Sequence, residues 1–150
     1  GALQAIHLAG AADEAQVRAA YADAGIAAYV AAFSERLGML YRRADVVIAR
    51  AGALSVSEIC ARGVPAVLVP FPHATDNHQH ANAAVLAEHG AAVLLPEAEL
   101  DAARLAGTVQ RLLGDALHAA AMSAAARFLA VPDAAERLRM FIEQCLVTTS

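Results

Sequence analysis

The sequence predicts an α/β domain of the Rossmann-like kind, a parallel sheet with helices on both faces. Two observations carry that prediction. The strand-like runs, such as QAIHL, DVVIA, AVLVPF and AAVLL, are predominantly apolar, which marks strands buried on both faces. They alternate along the chain with helix-length segments, and strands spaced in that way are joined by crossovers into a parallel sheet.

The elements follow in order. Residues 3–8 read as a first strand, and residues 13–24 as a helix that opens on an acidic turn and ends at Gly25. A second strand covers 26–33 and a short helix 35–43. The β-branched run at 45–49 is a third strand, followed by a helix over 56–62 that Gly63 closes. A fourth strand spans 65–71. A polar loop leads to a helix over 79–89 stopped by Gly90, and a fifth strand at 91–95 ends at Pro96. Three helices complete the chain, at about 99–113, 115–129 and 133–146, the last opened by Val-Pro-Asp.

Composition bounds what such a domain does. The 150 residues are enough for one domain with a real core, and 59% hydrophobic against 17% charged content is that of a globular chain. A net charge of −4 and 5% aromatics give no basic footprint for nucleic acid. Cys60 and Cys145 stand far apart and fit two reduced thiols better than a disulfide framework. No apolar run approaches the roughly 20 residues that span a bilayer, and GVPAVLVPFP is broken by three prolines. LQAIHLAG lacks the basic lead and cleavage pattern of a signal peptide. The opening Gly1-Ala2, moving straight into a strand, looks like a cut inside a longer protein.

Parallel α/β sheets bind ligands in the loops at the carboxyl ends of their strands, here the loops after residues 8, 33, 49, 71 and 95. The loop after the third strand reads RAGALSVSEI. Ser55-Val56-Ser57-Glu58 fits a capping box, with Ser55 as helix cap and Glu58 reaching back to it. It fits a ligand site as well. Gly52 lets the backbone approach closely, the helix N-terminus offers N–H groups to an anion, and Glu58 can accept hydrogen bonds from the vicinal hydroxyls of a ribose. Arg50 serves either to neutralise a pyrophosphate or to brace the loop.

The loop after the fourth strand, HATDNHQHANA, reads either as an exposed turn with Asp76 or Asn77 capping the next helix, or as a sugar site. For the latter, Asn77, His78, Gln79 and Asn82 form a dense group able to bond hydroxyls. The histidines have no spacing of a closed metal site, so neither a metal nor another cofactor is expected.

The block ADVVIARAGALSVSEICARGVPAVLVPFPHATDNHQHANAAVLAEHGAAVLL resembles the donor-binding half of the MurG family, transferases that add N-acetylglucosamine to lipid I in peptidoglycan synthesis. The flanks IHLAG, YADAGI, YVAAFSERLGMLYRRADVV and VPDAAERL extend the likeness over most of the chain. The resemblance implies a GT-B architecture of two Rossmann-like domains, this being the C-terminal one, which holds UDP-N-acetylglucosamine. By matching positions, Phe33 and Ser34 fall at the uracil, and Gly52, Ala53, Leu54 and Ser55 at the phosphates. Glu58 falls at the ribose, and His78 and Gln79 at the sugar, where the family also carries glutamines. His73 and Asn82 match motif positions that support the loops.

It also implies inverting displacement by an acceptor hydroxyl, with helix N-terminus and loop amides, instead of a metal, stabilising the departing UDP. The base and the lipid I site would lie in the N-terminal domain. So would any membrane contact, peripheral and at the cytoplasmic face of the bacterial inner membrane. The family's opening strand and GGSxGA-type turn are not in this sequence, so the chain is expected to be incomplete at its N-terminus and inactive alone. Two alternatives share the architecture: a UDP-sugar epimerase, and a non-catalytic UDP-sugar-binding subunit that acts with a partner chain.

Overall fold

Each apolar run forms a strand and each glycine-closed segment a helix, but the strands are shorter than the apolar runs that hold them. The computed structural model describes residues 3–148, so the opening Gly1-Ala2 lies outside the described residues. The chain forms two compact units, one ending at Arg43 and the other beginning at Ala44.

The first unit is a β-α-β crossover: β1 (Gln4–Leu8), α1 (Gly10–Asp23) and β2 (Ala27–Ala31), then a short helix, α2 (Leu37–Tyr41). β1 and β2 pair in parallel from Gln4↔Ala27 to Leu8↔Ala31. The α1 helix begins before the acidic turn at Asp13, because Gly10 adopts φ +76° and turns the chain directly out of the strand. α1 is fastened by its polar side chains. A guanidinium N–H of Arg18 donates to the Val30 carbonyl at 2.6 Å, and the Tyr21 hydroxyl meets His7 Nδ1 at 3.3 Å. Among the described residues of this unit, the buried apolar side chains are Val30 of β2 and Tyr41 of α2.

The second unit holds β3 (Val47–Ala49), α3 (Ala53–Arg62), β4 (Ala66–Leu68), α4 (His78–Glu88), β5 (Val93–Leu94), α5 (Ala102–Gly114), α6 (Ala116–Phe128) and α7 (Ala134–Thr148). Its sheet is parallel in the order β3-β4-β5, with Val47↔Ala66 and Val67↔Val93 in register. In each unit the paired strands are neighbours in sequence, joined by helical crossovers into a parallel ladder.

The core of this unit gathers Val67, Val69, Leu95, Leu112 and Met122, with Val46, Val93 and Leu105 against it. Around it Ala51, Ala66, Ala83, Ala91 and Ala126 are wholly buried, so methyl groups fill much of the space between backbones. α3 packs on α4 and α6. Its C-terminus is held by α6: Gly63 turns left-handed, the Ser123 hydroxyl donates to its carbonyl at 2.5 Å, and Arg127 donates to the Arg62 carbonyl at 3.3 Å. Among the described residues no helix is long and apolar enough to cross a membrane.

Candidate functional site

The α3 helix starts one residue after Gly52, not at Val56. Gly52 is the N-cap in extended backbone (φ −65°, ψ 151°), and its carbonyl accepts from the Val56 N–H at 3.0 Å. Ser55 is therefore the third helical residue and caps nothing, which corrects the capping box expected from sequence. A cap needs non-helical backbone, and here glycine provides it. Among the described residues no side chain bonds the free N–H groups of the first turn, and no acid lies in that turn. The contrast within the same unit is direct. Asp101 accepts from the Arg104 N–H at 2.7 Å and caps α5, and Asp115 accepts from the His118 N–H at 2.9 Å and caps α6. An uncapped N-terminus carries about half a positive charge and oriented donors, the requirements for an anion.

Glu58 follows within the same helix, half-buried, and its carboxylate has no hydrogen bond or ion pair among the described residues. The reach back to the cap is thus absent in both partners of the box. Leu54, by contrast, projects its side chain into solvent at 82% exposure.

At the carboxyl end of β4 the chain makes a 3-10 turn, Thr75–Asn77, before α4. Asp76 and Asn77 both adopt left-handed backbone, with φ of 51° and 55°, a conformation these two residue types tolerate better than most. Asn77 does sit at the N-cap of α4, but its side chain makes no cap bond. His78 Nδ1 lies 2.6 Å from the Thr75 carbonyl, which can only accept, so Nδ1 is the nitrogen that carries the donated hydrogen. Gln79 Oε1 accepts from the Phe71 N–H at 3.0 Å, leaving its NH2 group to donate elsewhere. Asn82 Nδ2 donates to the Ala51 carbonyl at 3.0 Å, and the His73 ring stands edge-on to Phe71 with centroids 5.7 Å apart.

Arg50 lies at the carboxyl end of β3. Its Nη1 donates to the carbonyls of Val69 (3.3 Å) and Pro70 (3.2 Å) and pairs with the Glu97 carboxylate. Its guanidinium carbon sits 5.5 Å from the Phe71 ring centroid, within cation–π range. Sequence reasoning missed Glu97 and Phe71. The available signal was position, since both stand just after a strand end in a ligand-side loop.

The structure brings Gly52, Ala53, Leu54, Ser55 and Glu58 onto one helix opening, and His78 and Gln79 onto the opening of the next. Phe33 and Ser34 belong to the first unit, in the loop that leaves β2. The Phe33 ring is 75% exposed, and Ser34 Oγ accepts from the Arg36 N–H at 3.2 Å. Among the described residues no cluster of His, Cys, Asp and Glu has the grouping of a metal site.

A profile of the glycosyltransferase family 28 C-terminal domain matches residues 1–138. The UDP-N-acetylglucosamine–N-acetylmuramyl-(pentapeptide) pyrophosphoryl-undecaprenol N-acetylglucosamine transferase of Aromatoleum aromaticum is 47% identical over 138 residues, covering 92% of this chain and 38% of that protein. The enzyme of the same name from an Azoarcus species is 47% identical over 141 residues, covering 94% of this chain and 39% of its own. The crystal structure of Acinetobacter baumannii MurG superposes with a TM-score of 0.86 at 34% identity, over 95% of this chain and 43% of that one. The chain thus spans about two fifths of the length of the relatives it matches, and its parallel α/β fold is that of GT-B glycosyltransferases. With the profile covering nearly all its residues, the chain belongs to the glycosyltransferase family 28 C-terminal domain family.

Proposed function

We propose that this chain is the donor-binding region of an inverting N-acetylglucosaminyltransferase, holding UDP-N-acetylglucosamine for transfer of the sugar to lipid I. The observation that carries it is Glu58: a half-buried carboxylate without a partner among the described residues, on a helix whose N-terminus no side chain caps, whereas α5 and α6 of the same unit are capped by aspartates. Ribose hydroxyls satisfy the carboxylate, and the diphosphate satisfies the N–H groups of Ala53, Leu54 and Ser55. The names of the relatives agree with that ligand.

In the displacement, negative charge grows on the departing diphosphate, and the α3 N-terminus is the element suited to stabilise it. His78 and Gln79 face the sugar hydroxyls, with Gln79 donating. Phe33 and Ser34 take the base, an assignment supported by the family resemblance alone. The attacking hydroxyl, the group that deprotonates it and the lipid acceptor belong with the remainder of a full-length enzyme, which works peripherally at the cytoplasmic face of the inner membrane.

The test is titration of UDP into full-length enzyme carrying this chain, wild type beside Glu58→Gln. A charge-assisted ribose contact contributes roughly 1.5–3 kcal/mol, an affinity loss of about tenfold or more. Equal affinities in the two proteins would remove Glu58, and the proposed nucleotide site with it.

A further inference from the structure

Three ligand-side loops meet at Arg50. It comes from the end of β3, its carbonyl partners Val69 and Pro70 from the end of β4, and its carboxylate partner Glu97 from the end of β5. The guanidinium also lies against the Phe71 ring. The next link runs onward, because the Phe71 N–H is the group that fixes Gln79 Oε1. Glu97, Arg50, Phe71 and Gln79 therefore form one continuous chain of contacts ending at a candidate sugar ligand.

A phosphate-binding arginine needs its charge and its fork of donors free for the phosphate. Here Nη1 already serves three acceptors, one of them anionic, and the ring covers a face of the group. The loop ahead of α3 is held separately, by Asn82 on the Ala51 carbonyl. The Nη1 end of the guanidinium is thus built into the loop after β4, and the Glu97 carboxylate already offsets its charge.

Resting on the donor-binding function above, we propose that Arg50 and Glu97 are positioning residues for the donor sugar. Their ion pair pins the loop after β4 so that Phe71 holds the Gln79 amide with its NH2 toward the sugar hydroxyls. Neither residue touches the ligand, and the pair acts on the sugar end of the nucleotide sugar and not on its diphosphate.

UDP and UDP-N-acetylglucosamine, titrated separately into full-length enzyme, separate these roles. Glu97→Gln keeps the shape and removes the charge; Arg50→Lys keeps the charge and loses the fork. Each variant is expected to weaken UDP-N-acetylglucosamine about three- to tenfold, with UDP changed less than about twofold, and the double variant is expected to lose no more than the worse single one. The KM for the donor rises by the same factor. Should Arg50→Lys lower UDP and UDP-sugar affinity alike while Glu97→Gln leaves or tightens both, Arg50 is a diphosphate ligand and the proposal is overturned. Unfolding midpoints check that each variant is folded, and Arg50→Met paired with Glu97→Met supplies an uncharged clamp if a single variant is not. Wild-type enzyme that binds neither ligand would overturn the donor-binding function itself, an outcome visible before any variant is made.

Discussion

Asn82, on the first turns of α4, donates its side-chain amide to the backbone carbonyl of Ala51, 3.0 Å away in the loop before α3. Ala51 is wholly buried, so that carbonyl has no water to turn to. One side chain thereby couples the helix that opens on His78 and Gln79 to the helix that carries Glu58. Asn82→Ala leaves a buried acceptor unpaired and is expected to cost about 1–3 kcal/mol of stability, measured by urea unfolding. Asn82→Asp does not restore it, because a carboxylate cannot donate to a carbonyl.

Gly52 invites a substitution that trades binding for stability. Its backbone is already extended, and a Cβ there meets nothing within 4 Å. Gly52→Asp is expected to leave folding unharmed or raise stability by a few tenths of a kcal/mol, since aspartate caps better than glycine by about that amount. It also places a carboxylate where a diphosphate would sit. UDP affinity is expected to fall more than about tenfold, and calorimetry beside thermal unfolding reads both effects.

Gly63 ends α3 with φ +61°, and a Cβ at this position lies 2.5–2.8 Å from atoms of the Arg127 side chain. Gly63→Ala strains the backbone and expels Arg127 from the Arg62 carbonyl and from the Ser123 hydroxyl, 2.6 Å away. The expected loss is about 1–3 kcal/mol. Adding Arg127→Ala to Gly63→Ala then costs little more, because the displaced side chain has already lost its contacts. A double-mutant cycle reads that non-additivity.

Burial raises the pKa of the Cys60 thiol above its ordinary value. The sign of the linkage follows: the folded thiol stays protonated where the unfolded one ionises. Its contribution is fully present below the ordinary thiol range near about 8.5, and is lost as pH rises through that range toward the folded value. Cys60→Ala is expected to flatten that part of a stability-versus-pH curve. Maleimide labelling at Cys60 is expected to track unfolding in denaturant, since the buried thiol offers little thiolate while folded.

The order of strands and helices was legible because unbroken apolar runs and closing glycines are local signals. The candidate loops followed from it, as ligand sites of parallel sheets lie at strand ends. The cap was misread at Ser55 for a physical reason. S-x-x-E is a local pattern, but the helix start is set by backbone conformation, and Gly52 takes the extended conformation three residues earlier. Glu58 was legible as a ligand candidate, although its lack of any partner needed coordinates. Glu97 was not legible, since its bond to Arg50 spans 47 residues and no short motif encodes it. Strand ends were overestimated as well, because Phe33 and Phe71 continue an apolar run yet leave the ladder for solvent-facing loops.

The fully enclosed alanines at 51, 66, 83 and 91 have a consequence for how this domain can diversify. Methyl-sized spacers let helices lie close on the strands, so enlarging one to valine wedges two backbones apart and shifts the mouths of α3 and α4 together. Residues 73–80, exposed or only partly covered, carry no such constraint, while the interior has no room for a larger side chain at these four positions.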